Sequence, residues 1–209
     1  MTRIERIDTT LVYIPTIRGH VLSMTTMRSK AIVLVRIRFS DGSEGLGEGT
    51  TIGGMSYGPE SPEGIKLTID SYIAPLLAGQ PADDVNAAIL LVEKNVRGNP
   101  IARCAVEIAL WDGLAKRLGT SVAQVFGGAV RTQMPVAWTL ASGRSDTDIT
   151  EAEEMIAKRR HNIFKLKIVK RSVAEDLAHV GAIARALGGR GSIRVDVNQA
   201  WSLTDARRG

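Results

Sequence analysis

Two lysines set into an otherwise apolar run, Ile163-Phe164-Lys165-Leu166-Lys167-Ile168, constrain this chain more than any other feature. A strand alternates its side chains with period two, so Lys165 and Lys167 share one face while Phe164, Leu166 and Ile168 share the other. The run 192–199 alternates the same way and sets Asp196 and Asn198 opposite to Ile193, Val195 and Val197. Between them, residues 173–187 carry Leu177, Val180, Ile183, Ala184 and Leu187 at helical spacing. Strand, helix and strand in this order read as a βαβ unit with parallel strands. Two lysines and an acid then meet at the carboxyl ends of neighbouring strands, where α/β barrels hold their chemistry.

A carboxylate is a hard oxygen ligand for a divalent ion, and a lysine crowded by a second lysine has its ammonium form disfavoured. A lysine tuned in this way beside a metal suits proton transfer at the carbon α to a carboxylate, because the ion stabilises enolate-like charge. The plainer reading is that alternating lysines guard a solvated sheet edge. A buried parallel strand is apolar on both faces, however, so two inward polar residues near its end need a reason.

Around this unit the pattern changes once. Residues 3–13, 31–39 and 44–48 read as three strands, with Asp41-Gly42 as a hairpin turn. Helices follow: Ser61-Pro62 starts one that runs to about residue 77, Asp83 or Asp84 starts another to about residue 96, and Asn99-Pro100 starts a third that ends at Gly119. From Pro135 strands and helices alternate: 135–140, helix 148–159, then the βαβ unit. The division is an α+β domain over 1–128 and the first part of a TIM-like (β/α) barrel over 129–209, with about three strands. A closed barrel typically needs about 250 residues, so the sequence is expected to be truncated at Gly209. The segments 16–30 and 50–62 read as long irregular loops, either plain surface connections or lids.

The formal charge of +5 is spread along the chain and aromatics make up only 4% of it, which argues against a nucleic-acid surface. The densest clusters, Lys158-Arg159-Arg160 and Arg207-Arg208, fall at helix ends or at the end of the sequence. No apolar stretch suggests a signal or a membrane span, and a cytoplasmic location is expected. Cys104, the single cysteine, excludes a disulfide and reads as a small core residue on the apolar pattern of 101–118. His161 and His179 read as solvated residues beside or in helices, whereas His20, in a possible lid, could touch a carboxylate. Thr139 closes the first barrel strand in a substrate-facing position and Trp138 packs.

The motifs Pro15-Thr16-Ile17-Arg18, Gly47-Glu48-Gly49-Thr50-Thr51-Ile52-Gly53-Gly54, Ala137-Trp138-Thr139-Leu140-Ala141-Ser142-Gly143, Phe164-Lys165-Leu166-Lys167 and Val195-Asp196-Val197-Asn198-Gln199 closely resemble the muconate-lactonizing branch of the enolase superfamily. The resemblance runs along essentially the whole chain. It implies an α+β capping domain before the barrel, with Lys167 as the acid/base at the α carbon and Lys165 as its electrostatic partner. It further implies Asp196 as the first ligand of Mn²⁺ or Mg²⁺, with the other metal ligands on later strands. The implied reaction is the reversible cyclisation of cis,cis-muconate to muconolactone. Ile52 and Tyr57 become substrate contacts on family lids, and Asn198 joins Thr139 and His20 among substrate-binding side chains. The implied partner is a small dicarboxylate, and the full-length protein is expected to be a homo-oligomer. Alternatives are a chlorinated muconate, or a racemase, epimerase or dehydratase substrate of the same superfamily, and a catalytically dead interaction module.

Overall fold

The computed structural model describes residues 1–21, 26–168 and 171–209, and the chain divides into two compact units. One comprises Met1–Ile17 with Arg28–Val130; the other comprises Arg18–Met27 with Arg131–Gly209.

The first unit is built on a sheet of order β1-β2-β3, with β1 Ile4–Val21, β2 Thr26–Phe39 and β3 Glu44–Thr50; the last residues of β1, from Arg18, and the first of β2, to Met27, belong to the second unit. Strands β2 and β3 are antiparallel, pairing Val33 with Gly49, Val35 with Gly47 and Ile37 with Gly45. They turn through Asp41, whose Oδ1 accepts the Ser43 N–H at 2.9 Å, and Gly42 at φ 83°. Three strands followed by helices agree with the sequence reading, but the expected loop 16–30 does not. Strand β1 continues to Val21 and β2 already begins at Thr26, while 22–25 lie outside the described residues. Backbone pairing carries the ladder past the point where the hydrophobic alternation fades.

Helix α1 (Pro62–Thr68) is capped by Ser61, whose Oγ accepts the Gly64 N–H at 3.0 Å, and passes through a π-helical turn, Ile69–Ile73, into α2 (Ala74–Leu77). Helix α3 (Val85–Asn95) is capped by Asp84, and α4 (Pro100–Arg117) precedes a short α5 (Val122–Val125) that the sequence pattern did not disclose. The apolar face of the sheet, Val33, Val35, Ile37 and Phe39, packs with Ile65, Ile69, Ile73, Val106 and Leu110 in one core.

Contact between α4 and β3 is unusually close. Gly45, Gly47 and Gly49 alternate onto the helix-facing side, opposite Ala105, Ala109 and Gly113 at four-residue spacing along α4. A Cβ on Gly45 would lie 2.0 Å from the Ala109 carbonyl oxygen, and one on Gly47 would lie 2.1 Å from that of Ala105. Helix and strand therefore meet backbone to backbone. Cys104, one position before this stripe, turns outward and is exposed, so the expectation of a core cysteine is corrected: 3.6-residue periodicity leaves it on the other face.

The second unit holds a parallel sheet of order β4-β5-β6, with β4 Trp138–Leu140, β5 Ile163–Lys167 and β6 Ser192–Asp196. Helix α6 (Ser145–Ala157) follows β4, α7 (Val173–Leu187) follows β5 and α8 (Leu203–Arg208) follows β6. Phe164, Leu166, Leu140, Met155, Ile183 and Leu187 form the core between sheet and helices. Strand β6 stops at Asp196, earlier than its alternation suggests, because Asn198 and Gln199 take left-handed backbone angles, φ 44° and 62°. Among the described residues no helix is long and apolar enough to cross a membrane.

Candidate active site

The parallel register puts Thr139 beside Lys165, Lys165 beside Arg194, and Lys167 beside Asp196. Register partners in a parallel sheet point to the same face, so these residues form two rows at the carboxyl ends of the strands. From the two rows both ammonium groups converge on one carboxylate oxygen: Lys165 Nζ and Lys167 Nζ each lie 2.6 Å from Asp196 Oδ2. Lys167 also donates to Asn198 Oδ1 at 2.9 Å, and the Asn198 N–H donates to Asp196 Oδ1 at 2.8 Å. The left-handed turn at Asn198 and Gln199 makes this possible by folding the chain back over the strand end. The two lysines differ in access, since the side chain of Lys167 is 9% exposed and that of Lys165 is 40% exposed.

Burial pulls the Asp196 carboxyl upward, but hydrogen bonds from Lys165, Lys167 and the Asn198 N–H, with the Lys167 charge, outweigh it and hold the group well below the usual carboxylate range. The sequence reading set one lysine against the other; the structure places a carboxylate between them. Arg194, which that reading passed over, lies on the same face by register and was visible in the period-two alternation two residues before Asp196. Lys165, Lys167 and Arg194 against Asp196 leave this face with a formal charge of +2.

Thr139 is half-buried, and its carbonyl accepts a hydrogen bond from Arg18 Nη2 at 2.7 Å. Arg18 also pairs with Glu151 and lies over the Trp138 ring, 5.2 Å from its centroid, while Trp138 Nε1–H donates to Glu151 at 2.9 Å. His20, half-buried, lies in β1 two residues further on. Ile52 and Tyr57 are half-buried residues of the first unit, in the irregular stretch before α1. That stretch is pinned at its end by Glu60, a buried acid whose two oxygens accept the Ile101 and Ala102 N–H groups at 2.9 and 3.2 Å, at the start of α4. Forty residues of sequence separate these partners, and no local pattern announces them.

The expectation that His179 is solvated is also corrected. It is buried, with Nδ1 2.7 Å from Ser145 Oγ and Nε2 3.3 Å from Asp148 Oδ2, and Asp148 Oδ1 accepts both the Ser142 N–H and the Ser142 hydroxyl. This network ties the loop after β4 to α7. His161 is half-buried rather than solvated, with its Nδ1–H donating to the Val136 carbonyl at 3.0 Å.

A hard divalent cation takes about six oxygen ligands. The site offers the Asp196 carboxylate and Asn198 Oδ1, both engaged by Lys167, and among the described residues no group of three or more His, Cys, Asp or Glu could hold a metal. The described residues do not complete a cation site.

Residues 6–127 match the family model of the mandelate racemase / muconate lactonizing enzyme N-terminal domain, and residues 148–209 match that of the enolase C-terminal domain-like family. Muconate cycloisomerase 1-2 of Acinetobacter lwoffii is 54% identical over 98% of this chain and 53% of its own length. Muconate cycloisomerase 1 of Pseudomonas putida is 53% identical over 98% of this chain and 55% of its own. Chloromuconate cycloisomerase of Pseudomonas sp. (strain P51) is 47% identical over 95% of this chain and 54% of its own. The crystal structure of muconate lactonizing enzyme from Pseudomonas fluorescens complexed with muconolactone superimposes with a TM-score of 0.96 at 55% identity, covering 99% of this chain and 56% of that one. The chain spans about half the length of the curated relatives it matches. On the strength of both family models, the chain belongs to the mandelate racemase / muconate lactonizing enzyme family.

Proposed function

We propose that this chain supplies one wall of a muconate cycloisomerase-type active site, in which Lys167 moves the proton at the carbon α to a carboxylate and Lys165 steadies the charge beside it. The observation that carries the reading is the convergence of both lysines on Asp196 at the carboxyl ends of parallel strands. A face with a formal charge of +2 suits a dicarboxylate, and the relatives, named as muconate cycloisomerases, point to muconate as its identity. In the cyclising direction one substrate carboxylate adds across a double bond, and the resulting enolate takes a proton from Lys167. Lys167 fits the proton role because it is the more sheltered amine, with Asp196 and Asn198 fixing its Nζ. Lys165, more exposed, reaches a substrate carboxylate more readily. Thr139 and Asn198 border the same face as substrate contacts, His20 enters as a histidine that could touch a carboxylate, and Ile52 and Tyr57 enter through the family resemblance alone.

Asp196 would serve as one ligand of a Mn²⁺ or Mg²⁺ ion whose other donors would come from outside the described residues. Bound there, the ion would supply electrostatic stabilisation of enolate charge. A cytoplasmic homo-oligomer is part of the same reading. Muconate is preferred to a chlorinated muconate because the muconate relatives are the more similar, at 54% and 53% identity against 47%.

The test is solvent-deuterium exchange at the α carbon of muconolactone, measured on the full-length protein that carries this sequence. Lys167→Ala should abolish both exchange and cyclisation, because both pass through one proton transfer. Undiminished exchange in that variant would remove Lys167 from the reaction.

A further inference from the structure

At the amino-terminal end of β5, the opposite end of that strand from Lys167, a concavity of about 360 Å³ is lined by Ile156, Arg159, Arg160, His161, Asn162 and Arg190. We propose that it binds a small phosphate-bearing anion, at a site separate from the lysine pair.

Charge is the first argument. Arg190 is already committed: it pairs with both oxygens of Glu153, and its Nε–H donates to the Leu187 carbonyl at 3.0 Å, so it forms a fixed wall. Among the described residues the guanidinium groups of Arg159 and Arg160 meet no carboxylate. Three arginines against Glu153 leave the concavity with a formal charge of +2, and Lys158 nearby is balanced by Glu154 at 3.2 Å. Unpaired guanidinium forks match the oxygens of a phosphate in both geometry and charge.

Backbone conformation is the second argument. Helix α6 ends with the Arg160 N–H bonded to the Met155 carbonyl at 3.0 Å and with Arg159 in the left-handed region, φ 51°. Glycine is favoured at such a position because it has no Cβ to clash. This chain follows that preference elsewhere, with Gly119 (φ 63°) after α4 and Gly188 (φ 54°) after α7. An arginine is strained where a glycine would not be, and helix termination does not require it. A cation already stands at this helix carboxyl end in Lys158, the cap residue, which pairs with Glu154. The side chain of Arg159 therefore has a use other than ending the helix.

His161 gives the site a rigid side and a reporter. Its ring is fixed by the Nδ1–H donated to the Val136 carbonyl and lies 5.0 Å from Trp138, centroid to centroid. An anion that settles among these residues should perturb Trp138 fluorescence.

The probe is inorganic pyrophosphate, titrated into the full chain at fixed ionic strength and followed by tryptophan fluorescence and calorimetry, with succinate as a dicarboxylate comparator. Saturable binding to one site is expected, with succinate at least tenfold weaker. Arg159→Gly should weaken pyrophosphate at least tenfold while leaving the thermal midpoint at or above that of the wild type, since it relieves backbone strain; Arg160→Gln should weaken binding by a similar factor. Arg207→Gln/Arg208→Gln, which removes two cations elsewhere, should change affinity less than twofold. Absence of saturable binding, full affinity in either Arg159→Gly or Arg160→Gln, equal affinity for succinate, or an equal loss in the Arg207/Arg208 variant would each overturn the proposal.

Discussion

Replacing Gly47 by alanine tests the closest contact in the first unit. The added Cβ would stand 2.1 Å from the Ala105 carbonyl oxygen and 2.8 Å from the Ala109 nitrogen. Both are helix backbone atoms, which cannot swing aside as a side chain can. Restoring an ordinary separation of about 3.5 Å requires α4 to retreat by the difference, about 1.4 Å, over a face that carries Ala102, Ala105, Ala109 and Leu110 into the core. Overpacking of this kind costs about 1–3 kcal/mol, and the backbone contact puts Gly47→Ala toward the upper end. Reduced freedom of the unfolded chain returns only about 0.4–1 kcal/mol, so a net loss of about 2 kcal/mol is expected. Gly49 is the internal control. The three atoms nearest to its Cβ would be side-chain atoms of Ala105, Ile101 and Ile65, each at 3.3 Å, and shifts of a few tenths of an ångström accommodate it. Gly49→Ala should therefore stay within about 0.5 kcal/mol of the wild type. Urea unfolding followed by the fluorescence of Trp111, which sits on α4 with its ring 4.9 Å from Phe126, reads both variants against the wild type. Equal midpoints for Gly47→Ala and Gly49→Ala would refute the backbone-to-backbone account.

Glu60→Ala should destabilise the first unit by about 1–3 kcal/mol, because it strips the amides of Ile101 and Ala102 of a charged acceptor at a helix start where Asn99 makes no side-chain cap. Urea denaturation checks this, and an unchanged midpoint would mean that water replaces the carboxylate without cost. In the second unit, burial pushes the Asp176 carboxyl above its ordinary range, against the opposing pull of a hydrogen bond from Trp201. A carboxyl with a raised folded pKa holds its proton more tightly when folded, so its contribution to stability falls as pH rises through the ordinary carboxylate value toward the raised one, and the penalty is complete above that. Asp176→Asn should accordingly raise the thermal midpoint at pH 7 and leave it nearly unchanged at pH 3. A lower midpoint at pH 7 would show that the ionised group is compensated in the fold.

Alternation was enough to put Lys165 and Lys167 on one face of their strand and to set Asp196 opposite to Val195 on the next, because a period of two follows from the covalent geometry of an extended chain and needs no partner. Turn and cap signals were likewise local: Asp41-Gly42, Ser61-Pro62 and Asp84 act within four residues, and the structure has a turn or helix start at each. The order of strands and helices, and through it the α+β and parallel arrangements, follows from these local rules.

What the tertiary structure decided is everything set by residues distant in sequence. Residues 16–21 and 26–30 are strand rather than loop because β1 and β2 supply each other's hydrogen bonds, which neither sequence shows alone. Alternating glycines in β3 look like weak strand material until α4 lies on them and its backbone fills the space that side chains would occupy. His179 looked solvated on a helix and is buried because residues more than thirty positions earlier surround its ring, with Ser145 Oγ hydrogen-bonded to Nδ1 and the Asp148 carboxylate 3.3 Å from Nε2. Likewise, the two lysines looked mutually repulsive until the left-handed turn at Asn198 and Gln199 and the neighbouring strand set a carboxylate between them. Local geometry fixes which way a side chain points; only packing decides what it meets there, and a charge takes its chemistry from what it meets.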